Sequence, residues 1–162
     1  MIFFTSSGMC THSGQVRTNN EDALLVEGNL FVVADGMGGH NAGEVASAMA
    51  VDSLRRAATD IVDEATLAAA LATANEEIHT ESMVNHVRHG MGTTIAALVV
   101  AGDDSIVVAH VGDARIYRWH EGNLSRVTKD HSYVQELVDE GVITLEEARI
   151  HPRRNIVTRA LG

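Results

Sequence analysis

Cysteine and proline are scarce in this sequence, and each shortage excludes a class of protein. A single cysteine, Cys10, cannot form an internal disulfide, and it excludes a zinc site built from several thiolates. A reducing compartment is therefore the expected setting. With one proline, Pro152, and no Gly/Ser-rich tract, no linker is visible, so residues 1–162 are expected to form a single domain.

Basic residues and long apolar runs are also scarce. Lys and Arg number 12 against 22 Asp and Glu, and the net charge of −10 opposes binding to a phosphate backbone, so no nucleic-acid partner is expected. The longest apolar stretch, residues 95–101, is far shorter than the ~20 residues that span a bilayer. The apolar residues 2–4 are too few for the core of a signal peptide. We expect a soluble cytoplasmic protein with no membrane partner.

The first half of the chain shows a hairpin pattern followed by two helical patterns. Short apolar runs at residues 24–26 and 30–34 surround Gly28-Asn29, which predicts a β-hairpin. Apolar residues then recur at helical spacing, and this predicts helices over residues 42–58 and 64–85.

The second half of the chain returns to strands and ends in short helices. Residues 94–101 and 105–111 are apolar at successive positions, which predicts strands whose two faces are both covered. A further strand is predicted at residues 116–119, before a turn. Capping patterns at Ser132 and Thr144 predict two short helices. Paired strands interleaved with helices indicate a layered α+β fold.

Acidic residues next to glycine stand where two apolar strands end. Asp35-Gly36 follows one strand and Gly112-Asp113 follows another. A carboxylate at the end of a buried strand is costly unless a cation neutralises it. Glycine allows a backbone carbonyl to approach that cation, and Mg²⁺ and Mn²⁺ accept such oxygen ligands. Either motif alone is also compatible with an ordinary turn.

The segment from Arg17 to Asp22 strengthens the metal interpretation. The guanidinium of Arg17 has a planar geometry that matches phosphate oxygens. Glu21 and Asp22 supply two more carboxylates suited to holding metal-bound water. An arginine together with several acids predicts a phosphate group bridged to divalent metals.

These and later motifs together resemble the metal-dependent protein phosphatases of the PP2C type, most closely the bacterial branch of that family. They occur in family order from residue 14 to residue 162. The motifs are Arg17-x-x-Asn20-Glu21-Asp22-Ala23, Asp35-Gly36-Met37-Gly38-Gly39-His40, Gly92-Thr93-Thr94, Gly112-Asp113-Ala114-Arg115, Asp130-His131-Ser132, His151-Pro152-Arg153-Arg154-Asn155 and Thr158-Arg159-Ala160-Leu161-Gly162.

The resemblance implies a four-layer αββα sandwich of two antiparallel β-sheets flanked by helices, with a binuclear Mn²⁺ or Mg²⁺ centre at one end. By the same resemblance Asp35 bridges the two metals and the carbonyl of Gly36 binds one of them. Glu21 and Asp22 hold metal-bound waters, and Asp113 matches the ligand of a third, weaker metal.

The resemblance also implies a reaction and a substrate class. Arg17 would bind the phosphoryl group of phosphoserine or phosphothreonine in a protein substrate, in opposition to a Ser/Thr kinase. A hydroxide shared by two metals would attack phosphorus in line. Many eukaryotic relatives carry His after Asp-Gly, whereas Met37 stands here, so His40 or a metal-bound water is the candidate proton donor to the leaving oxygen.

The sequence departs from the family pattern at its C-terminal side. Family members continue into strands that carry an Asp-Gly and an Asp-Asn motif, and both motifs supply carboxylates to the metal centre. We therefore expect an incomplete sandwich and weak or no phosphatase activity of these 162 residues alone. The alternative is a non-catalytic, phosphatase-like module that binds or regulates a phosphorylated partner through Arg17 and the surrounding groove. A dinucleotide-binding unit over residues 31–58 is disfavoured because Asp35 would face the pyrophosphate.

Overall fold

The computed structural model describes residues 6–38, 42–102 and 105–162. The elements in these ranges are β1 (Asp22–Glu27), β2 (Leu30–Met37), α1 (Ala42–Ala57), α2 (Glu64–Val84), a 3₁₀ turn (His86–Arg88), β3 (Gly92–Thr93), β4 (Ile95–Val100), β5 (Ile106–Val111), β6 (Tyr117–His120), β7 (Asn123–Arg126), α3 (Tyr133–Asp139) and α4 (Leu145–Ile150).

The larger sheet is antiparallel, with the order β1-β2-β4-β5 and the short β3 paired with β2. The predicted hairpin is confirmed as β1 and β2. Gly28 has a φ of +59° in its turn, a conformation that glycine adopts without strain. The side chain of Asn29 donates to the carbonyl of Val100 at 2.8 Å, which ties this turn to the end of β4.

Helices α1 and α2 cover one face of this sheet. Residues Ala46, Ala50 and Leu54 of α1 are fully buried, and their spacing of four is the pattern that predicted the helix. A capping box between Asp63 and Thr66 begins α2. Both predicted helices are confirmed, each ending one residue earlier than the pattern indicated.

The opposite face of the sheet is apolar but only partly covered. Val33 lies on this face and is 46% exposed. In the described part of the chain, residues 8–10 and 114–116 lie over it and leave a groove of about 580 Å³. The prediction of two covered faces holds for most of β4 but is wrong for β5, because Ile106 is exposed and residues 107–111 are half-buried. Apolar residues at successive positions indicate that both faces of a strand can be buried. They do not indicate which segment of the protein covers each face.

The second sheet is the hairpin of β6 and β7. Glu121 and Gly122 both have positive φ in its turn, the geometry that two-residue hairpins require. Ser132 and Thr144 cap the N-termini of α3 and α4, as the capping patterns predicted. Two antiparallel sheets flanked by helices confirm the α+β class.

The end of the chain returns to the first sheet. Thr93 and Leu161 exchange two backbone hydrogen bonds, at 3.0 and 2.9 Å. The amide of Gly162 also donates to the side chain of Asn75 in α2 at 3.0 Å. Within the described ranges, no helix has both the length and the apolar character of a membrane span.

Candidate active site

The end of the β1–β2 hairpin brings two acidic side chains face to face. Asp22 and Asp35 are direct cross-strand partners, and such partners lie on the same face of a sheet. The pKa of Asp35 is raised, first by partial loss of water around its carboxyl and then by the negative charges of Asp22 and Asp113, while Arg17 opposes the shift. The residue as a whole remains solvent-exposed, so a cation can reach it.

Asp22 is held in place by the segment that precedes it. The hydroxyl of Thr11 donates to the Asp22 carboxylate at 3.2 Å, and the side chain of Asn20 donates to Thr11 at 2.8 Å. The carbonyl oxygen of the Asn20 side chain also accepts from the amide of Asp22 at 3.2 Å. Asn20 lies within the first motif, but the contact of Thr11 had no signal in the sequence.

Arg17 lies beside this acidic pair. It lines a cavity of about 290 Å³ together with Asp22, Asp35, Asn20 and residues 12–14. Its side chain is 64% exposed, and its guanidinium lies 3.9 Å from the Glu21 carboxylate. A well-exposed guanidinium can bind an anion such as phosphate directly. The two neighbouring carboxylates can bind the same anion only if a cation bridges them to it.

Gly36 is enclosed by backbone. Its amide donates to the carbonyl of Glu21 at 3.1 Å, and a Cβ at this position would lie 2.0 Å from the carbonyl oxygen of Gly43. Any side chain would force α1 away from β2. The carbonyl of Glu21 also accepts from the Ser47 hydroxyl at 2.6 Å, so the backbone of Glu21 fixes the start of β1 against α1.

Asp113 approaches Asp35 from the end of β5, and Thr94 lies between the two segments. The Thr94 hydroxyl accepts from the Asp35 amide at 3.3 Å, and the Thr94 amide donates to the Asp35 carbonyl at 2.9 Å. A Cβ on Gly112, whose φ is +96°, would lie 2.6 Å from the Thr94 methyl group. Thr94 therefore sets the spacing between the two strand ends that carry carboxylates.

A histidine pair supports the turn that carries Asp113. Nδ1 of His131 accepts from the amide of Gly112 at 3.1 Å, which places the proton of the neutral ring on Nε2. The ring stacks on His110 with centroids 4.6 Å apart. Burial lowers the pKa of His131, and the neighbouring His110 and Arg159 lower it further.

The predicted site residues are thus brought together in part. The charges of Asp22, Asp113 and Arg17 each act on Asp35, whereas His40 lies outside the described residues. Oxygen ligands of this kind suit a hard divalent cation such as Mn²⁺ or Mg²⁺. Among the described residues, however, no group of three acidic, histidine or cysteine side chains is placed as a complete ligand set.

Comparison with known proteins identifies the family. The model of the protein phosphatase 2C family matches residues 11–160. The chain belongs to the PP2C family. The resemblance carried by the motifs is therefore confirmed.

Bacterial PP2C relatives are similar in sequence and in structure. The serine/threonine protein phosphatase PstP of Mycobacterium tuberculosis is 43% identical over 91% of this chain. The serine/threonine phosphatase stp of Listeria monocytogenes is 41% identical over 94% of it. The crystal structure of the catalytic domain of PstP in complex with two manganese ions matches 91% of the chain with a TM-score of 0.80 and 41% identity.

The chain spans only part of the length of these PP2C relatives. It spans 29% of the length of PstP, 65% of the Listeria phosphatase and 63% of the solved PstP catalytic domain. The roles predicted for Glu21, Asp22, Asp35, Gly36, Asp113 and Arg17 remain predictions, which the geometry above makes specific enough to test.

Proposed function

We propose that this chain acts in the metal-dependent hydrolysis of phosphoserine and phosphothreonine in protein substrates, in opposition to a Ser/Thr kinase in the bacterial cytoplasm. The observation that carries the proposal is the meeting of Arg17 with the facing carboxylates of Asp22 and Asp35 in one cavity. Like charges in contact are unfavourable unless a cation lies between them. An arginine at the same cavity adds the phosphate-binding group.

The proposed cofactors are two Mn²⁺ or Mg²⁺ ions, with a third held more weakly. Support comes from the PstP catalytic domain, whose structure is described as a complex with two manganese ions. Asp35 and the carbonyl of Gly36 would hold the pair of ions, and Asp113 the third. When bound, such ions lower the pKa of a water molecule and stabilise charge on the phosphoryl group.

The remaining residues bind and orient the reactants. Arg17 would hold two phosphoryl oxygens with its guanidinium and neutralise part of their charge. Glu21 and Asp22 would orient water molecules at the site through their carboxylates. His40, outside the described residues, is the proposed proton donor to the leaving oxygen of the substrate.

The second candidate is a non-catalytic module that binds a phosphorylated partner. It is favoured by one observation, the lack of a complete set of three ligands among the described residues. In this case Arg17 would bind phosphate without any contribution from metal. If the chain is catalytic, we expect slow hydrolysis, because no complete set of three ligands for a second cation is present among the described residues.

Calorimetric titration with Mn²⁺ and phosphate release from a phosphothreonine peptide together test the proposal. Asp35→Asn should abolish both Mn²⁺ binding and any phosphate release, whereas Asp60→Asn, which removes an exposed acid from the turn after α1, should change neither. Mn²⁺-dependent release that survives Asp35→Asn contradicts the proposed site. Phosphopeptide binding that persists in EDTA, with no Mn²⁺ binding in the titration, establishes the non-catalytic module.

A further inference from the structure

A second groove lies between the β6–β7 hairpin and the α3–α4 pair. It has a volume of about 670 Å³, within the range of known ligand sites. Tyr117 and Leu124 line it from the hairpin, and Val138 and Leu145 line it from the two helices. These apolar side chains can contact the side chains of an extended peptide bound in the groove.

The net charge of the side chains that line this groove is positive, whereas the net charge of the whole chain is negative. Four of the 12 lysine and arginine side chains line it, namely Arg115, Arg126, Arg149 and Arg154, in a protein whose net charge is −10. The acidic side chains that line it are two, Asp113 and Asp130. A local excess of arginine in an acidic protein favours an anionic ligand at this one place.

Two of these arginines are fixed by one carboxylate. Nε and Nη2 of Arg115 donate to Asp130 at 3.0 and 2.6 Å, and Arg126 approaches the same carboxylate at 3.4 Å. The Asp130 side chain is 7% exposed. A single negative charge shared by two guanidinium groups leaves one positive charge in excess, held in a fixed orientation.

The other two arginines lie at the rim of the groove. Within the described ranges, neither Arg149 nor Arg154 forms an ion pair, and both are exposed at the rim formed by α4 and the segment after it. Exposed guanidinium groups of this kind can form charge-assisted hydrogen bonds with carboxylates of a bound chain.

The groove meets the candidate active site at Asp113. This residue lines the groove, and its charge also acts on Asp35. A substrate polypeptide whose phosphorylated residue is bound at Arg17 can therefore continue past Asp113 into the groove.

We propose that this groove binds an acidic segment that flanks the phosphorylated residue of a protein substrate. The role in substrate selection rests on the proposed phosphatase function, whereas binding of an acidic peptide does not. A peptide is favoured over a nucleic acid because apolar side chains lie among the arginines of the groove, and because the acidic remainder of the protein would repel a long polyanion.

The test is fluorescence anisotropy in EDTA, where no metal-dependent turnover takes place. The probes are short labelled peptides with a central threonine flanked by glutamates, in phosphorylated and unphosphorylated form, and the same peptides with glutamine in place of glutamate. Arg149→Ala and Arg154→Ala should each weaken binding of the glutamate peptides about twofold to fivefold, as expected for the loss of one ion pair at an exposed position. The matched control is Arg118→Ala, an exposed arginine of β6 that does not line the groove.

The possible outcomes separate the two proposals. Equal binding of glutamate and glutamine peptides overturns the groove proposal, as does an equal loss in Arg118→Ala, which would show only a general effect of charge. Tighter binding of a single-stranded oligonucleotide than of the glutamate peptides also overturns it. A preference for glutamate that is lost in Arg149→Ala supports the groove even if the chain releases no phosphate, and that last result would count against the phosphatase function alone.

Discussion

Thr94 holds the backbone of Asp35 through its amide and its hydroxyl. Its amide donates to the Asp35 carbonyl at 2.9 Å, and its hydroxyl accepts from the Asp35 amide at 3.3 Å. Thr94 is buried, and its methyl group occupies the space that a side chain at Gly112 would need. This one residue between β3 and β4 therefore fixes the distance between the strand ends that carry Asp35 and Asp113.

Thr94→Val should show the contribution of the Thr94 hydroxyl, because valine has nearly the same shape but no hydroxyl. It leaves the Asp35 amide without its partner, so we expect a loss of about 1–3 kcal/mol in the free energy of unfolding. Mn²⁺ binding should weaken as well, because Asp35 is no longer fixed. Thr94→Ser keeps the hydroxyl and should retain most of the Mn²⁺ affinity. Urea unfolding and calorimetric titration measure the two effects, and equal Mn²⁺ affinity in both variants would contradict this role.

Asp35→Asn should stabilise the chain in the absence of metal. The pKa of Asp35 is raised in the folded state, mainly by partial desolvation and by Asp22, so the folded chain binds this proton more tightly than the unfolded chain does. The ionised carboxylate of Asp35 therefore destabilises the folded chain at neutral pH. This destabilisation disappears as the pH falls below the pKa that Asp35 has in the unfolded chain.

Thermal unfolding in EDTA checks this expectation. The melting temperature of Asp35→Asn should exceed that of the unmodified chain at pH 7, and the two should converge in acid. With Mn²⁺ present the order should reverse, because the variant cannot gain stability from the bound ion. Asp60→Asn serves as the control for removal of an exposed acid, and a lower melting temperature of Asp35→Asn in EDTA would contradict the expectation.

Local rules explain why much of the fold could be predicted. The starts of α3 and α4 depend on Ser132 and Thr144 and their neighbours three residues on. The contact of Asp22 with Asp35 also follows from local geometry, because the two-residue turn at Gly28-Asn29 pairs Glu27 with Leu30 and so fixes every later pair of the hairpin.

Contacts between distant segments could not be predicted in the same way. Thr11 reaches Asp22 across a loop, and Thr94 reaches Asp35 across 59 positions of the chain. Neither contact leaves a periodic or local pattern. The half-exposed face of β5 was missed for a related reason, since its apolar residues do not specify which segment lies over them.

The stability of the chain should fall as the pH drops through the range in which histidine titrates. Burial lowers the pKa of His131 in the folded state below its ordinary value of 6.5. The unfolded chain then binds a proton that the folded chain resists, so stability declines from the unfolded pKa down to the folded one. His131→Asn keeps an acceptor for the Gly112 amide and should show a smaller decline between about pH 7.5 and 5.5, where histidine normally titrates. Urea unfolding across this range measures it, with His89→Asn, an exposed position, as the control that should keep the full decline.

Asp130→Asn should destabilise the fold much more than the loss of an exposed acid. Asp130 is 7% exposed and accepts from Arg115 and Arg126, and the same contact raises the pKa of Arg115. Without the carboxylate, two guanidinium groups repel each other, and we expect a loss of about 1.5–3 kcal/mol, as for hydrogen bonds to charged groups. Asp139→Asn removes an exposed pair with Lys129 at 2.7 Å and should cost much less free energy of unfolding. Urea unfolding compares the variants directly. Equal losses would show that Asp130 acts as a surface charge and that the two arginines are not held in fixed positions by it.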